Sequence, residues 1–125
     1  VLFQGIVYPS VEHAYQAAKT NNWSERAWII AAPTPAKAKR IGRSVTLRPD
    51  WDNIKVDIMY QILKSKFWLP KLKKQLLATN SATLIEGNTW HDNFWGNCVC
   101  AKCKDVEGKN VLGTLLMQLR RESSQ

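Results

Sequence analysis

Glu12, Gln16 and Lys19 stand at i, i+4 and i+7, the spacing that sets three side chains on one face of a helix. A carboxylate, an amide and an amine in that line fit two readings, a solvated stripe or the wall of a pocket holding an acid and an amine. The helix alone leaves both open. A second group gathers in Trp90-His91-Asp92-Asn93-Phe94-Trp95-Gly96. Aromatic side chains in a long irregular segment can hold a flat ring system, with Asp92 as an acid among them. The plainer alternative is a loop fastened by its own aromatics, with Asp92 closing an Asx turn. Gly108-Lys109-Asn110 leads into an apolar helical run. Free backbone N–H groups at such a helix start, beside a lysine, would seat an anion or phosphate, unless Asn110 is simply the N-cap. Cys98, Cys100 and Cys103, in a C-x-C-x-x-C pattern, have metal-like density, and with His91 they could fill a tetrahedral zinc site. Zinc motifs generally bring a second ligand pair from a distance and none is present, so packing thiols are the alternative and no metal is assigned.

These groups need elements to carry them. Pro9-Ser10 signals a helix start, with Ser10 as N-cap of a helix over 11–19. His13 stands where a capping box wants Glu or Gln, so the cap is an ordinary one. Ser24 is expected to cap a short helix over 25–32 that Pro33 stops. Thr34 and Pro35 open another over 35–41, ended by Gly42. Asp50 is expected to cap the longest helix, 51–67, whose Ile54, Ile58 and Ile62, with Trp51, Met59 and Leu63, form one stripe. Pro70 opens a helix to 77, 82–85 reads as a short strand, and 88–110 as a loop rich in Asn, Gly, Trp and Cys. The final helix, 111–121, turns Leu112, Leu115, Leu116 and Leu119 to its buried face. The expected fold class is mainly α (α+β), about six helices with a small β element.

At 125 residues the chain suffices for one compact domain and not for two. Its hydrophobic fraction of 45% excludes a disordered or collagen-like chain. No apolar run approaches the roughly 18 residues of a membrane span, and there is no signal-peptide pattern. The formal charge of +8 points to anionic partners. Residues 37–48 carry Lys37, Lys39, Arg40, Arg43 and Arg48 with no acid, a phosphate-binding candidate without the aromatic interleaving of a nucleic-acid motif. Three cysteines cannot all pair, and thiols without a secretory signal point to a reducing, cytoplasmic setting. Val1-Leu2-Phe3-Gln4-Gly5 resembles the remnant of an engineered protease site, but Ile6 follows where that site has Pro. The native reading, a strand–turn–strand over 1–8, is preferred.

Five blocks in order carry a resemblance. They are the run from Tyr8-Pro9-Ser10 to Ala18-Lys19, Ile41-Gly42-Arg43, Arg48-Pro49-Asp50-Trp51, the run from Glu86-Gly87-Asn88 to Trp95-Gly96, and Gly108-Lys109-Asn110-Val111-Leu112-Gly113 with Leu116-Met117-x-x-Arg120. Together they resemble the NADAR, or YbiA-like, family across nearly the whole chain, read as a single domain over 1–125. The resemblance implies an N-glycoside hydrolase acting on ribosyl groups linked to nitrogen. It implies Glu12 and Asp92 as acidic site residues, Lys19 as the site amine and Trp51 and Trp95 as site aromatics, which overrides the placing of Trp51 in the core stripe. Gly108, Lys109 and Asn110 become part of a ligand cradle. Family members usually carry a Phe-x-Ser-Asn-Phe segment upstream of the Tyr-Pro-Ser block, and its absence here reads as a missing N-terminal segment. The cysteine cluster occurs in only part of the family, so no role is carried over for it.

On this reading the catalytic residues are Glu12, Lys19 and Asp92. Gln16, Arg43, Trp51, Trp90, Trp95, Gly108, Lys109 and Asn110 bind substrate, Arg43 and Lys109 through its phosphates, and no cofactor is expected. An oxocarbenium-like state can be stabilised by a carboxylate, which can also activate water. Alternatively, Lys19 attacks the opened ribose and forms a Schiff base. The expected reaction removes ADP-ribose from ADP-ribosylated guanine, in nucleic acid or nucleotide. The alternatives are cleavage of phosphoribosylamino-pyrimidine intermediates of riboflavin synthesis and a non-catalytic ADP-ribose or NAD-binding module.

Overall fold

A computed structural model of the chain describes residues 1–124. Six α-helices and two minimal sheets form among the described residues, in two compact units, 1–69 and 70–125.

The first unit opens with a hairpin in which β1 (Leu2–Phe3) pairs antiparallel with β2 (Ile6–Val7). Gln4 and Gly5 make its two-residue turn with φ of +49° and +81°, the left-handed pair that a right-twisted hairpin requires. Four helices follow: α1 (Val11–Ala18), α2 (Trp23–Ile30), α3 (Pro35–Gly42) and α4 (Trp51–Lys66). Helix α1 packs against the other three, and β1 lies on α4. Its run from His13 to Ala18 is buried throughout, which its small residues Ala14, Ala17 and Ala18 allow. The long stripe holds at Ile58, Met59, Ile62 and Leu63, all buried, while Ile54 lies nearer the surface.

The caps depart from expectation in three places. Ser10 Oγ accepts from His13 N–H at 3.1 Å, as the sequence implies, but His13 is more than a capping-box substitute. Its Nδ1 lies 2.6 Å from Ser10 Oγ and its Nε2 2.9 Å from the Ala32 carbonyl. A carbonyl only accepts, so Nε2 carries the proton and Nδ1 accepts from the serine hydroxyl. One buried imidazole thus ties the start of α1 to the end of α2. Helix α2 begins two residues before the expected start, because Asn22 rather than Ser24 accepts from Glu25 N–H at 3.1 Å. Asp50 makes no cap, since its carboxylate takes Arg48 Nε at 2.8 Å and Nη2 at 3.2 Å.

In the second unit α5 (Pro70–Leu77) packs on α6 (Val111–Ser123), whose Gly113, Leu115 and Leu119 are buried. Leu112 and Leu116 of the expected apolar face are half-buried. The strand expected over 82–85 does not form, because its neighbourhood is served by an amide side chain. Asn110 Oδ1 accepts from Glu86 N–H at 2.9 Å and Asn110 Nδ2 donates to the Leu84 carbonyl at 2.8 Å. The ladder begins just beyond, where β3 (Gly87–Asn88) pairs parallel with β4 (Asn97–Cys98).

In the first unit a charge on α2 joins the segment after α1 to the segment after α3. The Glu25 carboxylate accepts from Thr20 Oγ1 at 2.6 Å and from Thr46 N–H at 2.9 and 3.1 Å. These bonds, the Thr20 hydroxyl foremost and then the Thr46 backbone, favour the charged form over the opposing effect of burial and hold Glu25 below its ordinary 4.5. A depressed folded-state pKa stabilises fully above the unfolded value, and the effect is lost as pH falls through the folded one. The thermal midpoint of the chain should therefore exceed that of Glu25→Gln at neutral pH. That margin should shrink as pH falls below 4.5 and be lost once pH has passed through the depressed folded-state pKa. A margin that stays constant across an acid titration followed by circular dichroism would show that the carboxylate does not hold the turn.

Candidate active site

Within the first unit the sequence-predicted residues Glu12, Gln16 and Lys19 do share one side of α1. Gln16 Nε2 donates to Glu12 Oε1 at 3.3 Å. Gln16 itself is buried, so its amide orients the acid from behind, not from an open pocket wall. Its Oε1 packs on Gly42, where any side-chain carbon would collide with it. Gly42, expected only as the end of a helix, is thus what lets α3 close on the glutamine. Gln16 Oε1 has no hydrogen-bond partner among the described residues.

Lys19 caps the C-terminus of α1, and its carbonyl accepts from Arg48 N–H at 2.8 Å. Its Nζ lies 5.7 Å from the centroid of the Tyr15 ring, one turn back on the same helix. Tyr15 in turn meets Trp51 edge-on, with ring centroids 5.1 Å apart. Trp51 is buried, so it supports the tyrosine beneath the lysine, and the stripe reading and the site reading of this residue meet in one place. Partial burial lowers the pKa of Lys19, the nearby Glu12 charge pushes it back up, and Lys39, Arg43 and Lys55 lower it again. The structure therefore gathers Glu12, Lys19 and Arg43 with Lys39 of the basic run over 37–48, and adds Tyr15 and Lys55. Tyr15 was findable from its i, i+4 spacing to Lys19; that Lys39 on α3 and Lys55 on α4 act on Lys19 was not.

The second unit holds the other group. Asp92 Oδ1 accepts from Phe94 N–H at 3.1 Å and Trp95 N–H at 2.9 Å, so the Asx turn, the plainer reading, is present. Phe94 and Trp95 meet edge-on at 5.0 Å, and Trp90 is exposed. The anion seat expected at Gly108-Lys109-Asn110 is not formed by free N–H groups. Gly108 N–H donates to Asn97 Oδ1 at 2.8 Å, and Lys109 N–H to the Asn93 carbonyl at 2.8 Å. The N–H groups of Asn110, Val111 and Leu112 go to the carbonyls of Gly96, Phe94 and Trp95. Asn110, at φ +50°, makes no side-chain cap either. What this stretch leaves for an anion is the Lys109 ammonium, 5.8 Å over the Phe94 ring. Gly108 lies so close to the backbone of Gly96 and Asn97 that no side chain fits.

His91 and the three cysteines also come together here, their ligand atoms all within 4.8 Å of one another. Burial disfavours the Cys98 thiolate, but hydrogen bonds from Cys100, His91 and Cys103 outweigh it and bring the thiol down to about 6. Cys103 is pushed up to about 11 by its hydrogen bond to Cys98 and by burial.

Two outcomes follow. Replacing Glu12 by Gln removes the one influence among the described residues that raises the Lys19 pKa, so an NMR titration of the isotopically methylated lysine should place it lower in Glu12→Gln than in the parent chain. An unchanged or higher value would mean that the two side chains do not interact. Gly108→Ala should destabilise the chain by about 1–3 kcal/mol in urea unfolding, the usual cost of overpacking against backbone that cannot yield. A neutral effect would refute the close approach.

Comparison with known proteins bears on this arrangement. A model of the NADAR domain matches residues 1–123. The chain is 41% identical to the maize protein called riboflavin biosynthesis protein PYRR, chloroplastic, over 92% of its own length but only 20% of that protein's. It is 38% identical to Escherichia coli N-glycosidase YbiA, covering 94% of this chain and 72% of the relative. An NMR structure of the E. coli protein YbiA superposes with a TM-score of 0.81 at 36% identity, over 97% of this chain and 70% of the other. With the family model spanning nearly every residue and the fold shared, this chain belongs to the NADAR domain family.

Proposed function

We propose that the chain is an N-glycosidase that breaks a ribosyl C–N bond in a phosphorylated substrate, with ADP-ribosylated guanine as the substrate. The observation that carries the proposal is the setting of Lys19, an amine with lowered pKa facing one carboxylate and several cations. An amine that loses its proton readily is a competent nucleophile toward a sugar carbonyl, and the surrounding cations suit a substrate bearing phosphates. The chain's +8 charge suits an anionic substrate, and the name of its E. coli relative supports N-glycosidase activity in general.

In the covalent route, Lys19 Nζ attacks C1′ of the ring-opened ribose. The C1′–N bond to the base then breaks, the base leaves with a proton, and a Schiff base remains. Water adds to it and releases the free sugar and the amine. In the direct route, Glu12 accepts a proton from the attacking water while the base departs protonated. Within the first unit Arg43 is assigned to the phosphates, with Trp51 acting through Tyr15. In the second unit Asp92, Trp90, Trp95 and Lys109 keep the roles that the sequence and its family resemblance imply for them: an acid, two aromatics and a cation.

A second reading is favoured by the name of the maize relative: cleavage of a phosphoribosylamino-pyrimidine of riboflavin synthesis. Guanine-ADP-ribosylated DNA and such a pyrimidine nucleotide, each incubated with the chain and followed by mass spectrometry, separate the two. Release of ADP-ribose, reduced about 10²–10⁴-fold in Glu12→Gln and in Lys19→Ala, is expected. Turnover of the pyrimidine alone would move the substrate to the second reading. Binding of ADP-ribose without turnover of either would overturn the enzymatic proposal. Borohydride added during turnover should trap the sugar on Lys19 if the covalent route operates, and leave it unmodified if water attacks directly.

A further inference from the structure

His91 Nδ1 lies 3.3 Å from Cys100 Sγ, 3.3 Å from Cys103 Sγ and 3.8 Å from Cys98 Sγ. A ring nitrogen carries at most one proton, so it cannot make a full, linear N–H···S hydrogen bond to each of the three sulfurs. Four soft donor atoms converging on one point are instead the outline of a coordination shell. With Zn–S near 2.3 Å and Zn–N near 2.0–2.1 Å, a tetrahedral ion would hold nitrogen and sulfur about 3.6 Å apart, and the three distances straddle that value.

We infer that His91, Cys98, Cys100 and Cys103 form a structural zinc site. Separate local features deliver each ligand. His91 adopts φ +68°, a left-handed backbone uncommon for a residue with a side chain, which turns the ring back toward the sulfurs. Cys98 ends β4, and its N–H donates to Asn93 Oδ1 at 2.9 Å. Cys100 and Cys103 bracket a single 3-10 turn, Ala101–Cys103, closed by Cys103 N–H on the Cys100 carbonyl at 3.1 Å.

The surroundings match the outer shell that thiolate sites use. Asn93 Oδ1 holds Cys98 N–H, and Val106 N–H donates to the Cys103 carbonyl at 2.9 Å, so the backbone that carries two of the sulfurs is fixed. Lys102 and Lys104 flank Cys103 in sequence and offset the net negative charge of three thiolates on a divalent ion. Exposed His91 and half-buried Cys100 leave a path by which the ion enters. The missing distant ligand pair is no obstacle, because residues 91–103 supply the whole set.

Three sulfurs and one nitrogen complete a four-coordinate shell and leave no position for water, so the ion braces the fold and does no chemistry. What it braces is the segment that begins at Asp92: the metal would pin the residue before the assigned acid, while Asn88 holds Asp92 N–H at 3.1 Å. The inference stands on geometry alone, whatever substrate the family site takes.

The test uses the whole chain purified without chelator. Elemental analysis should find about one zinc per chain, and cobalt(II) should replace it with the intense ligand-field and thiolate charge-transfer bands of a tetrahedral sulfur-rich site. Cys100→Ser, which alters a ligand without touching the core, should weaken zinc by more than about a hundredfold in a chelator competition, beyond the roughly 10–100-fold that loss of an outer-shell partner costs. Added zinc should raise the thermal midpoint of the apo chain but not that of a triple Ser variant at positions 98, 100 and 103. Zinc content no higher than in the triple variant, an octahedral cobalt spectrum, or a disulfide among the three cysteines by non-reducing peptide mapping would each overturn the assignment. None of these readouts depends on glycosidase activity.

Discussion

A backbone polar group withdrawn from water must find a partner, and in this chain long stretches have no ladder to provide one. The strands are two residues long, so side-chain carboxylates and amides do the work that neighbouring strands do elsewhere. Glu25 of α2 receives Thr46 N–H from the segment between α3 and α4. Asn88 holds both the N–H and the carbonyl of Asp92. Asn93, Asn97 and Asn110 receive Cys98, Gly108 and Glu86 N–H in turn. Remove one of these and a partly buried group loses its partner, at a cost of up to about 1–3 kcal/mol, a large share of the stability of a chain this size.

The same constraint places the chemistry. Because Glu25 fastens the segment around Thr46, Arg48 is brought to the Lys19 carbonyl at the end of α1. The lysine is then held over Tyr15, which Trp51 supports from α4. In the second unit the requirement has the opposite effect at the start of α6. N–H groups that would have formed an anion seat are consumed by residues 93–97, which leaves the ammonium of Lys109 as the cation there. A helix N-terminus binds an anion only when its donors are unused, and here they are the fastening of the irregular segment.

Much of the fold was legible in the chain itself. Thr34 and Pro35 mark the start of α3 and Pro70 that of α5, as their chemistry implies, because caps and proline act within a few residues. Ser24 and Asp50 misled for an equally local reason: a better-placed neighbour, Asn22, takes the cap in one case, and Arg48 captures the carboxylate in the other. The strand expected over 82–85 was lost to Asn110, a partner well over twenty residues away that no periodicity reveals.

What the sequence by itself determined was the inventory and its local order. Glu12, Gln16 and Lys19 fall on one helix side because a helix repeats every 3.6 residues, and Asp92 closes its own turn because an Asx side chain reaches two residues on. Only the tertiary structure decided how those groups behave. Burial and the cations of α3 and α4 lower the pKa of Lys19, and the left-handed backbone at His91 aims its ring at sulfurs up to twelve residues later. Desolvation and through-space charge depend on which elements pack together, and spacing along one element carries no record of that.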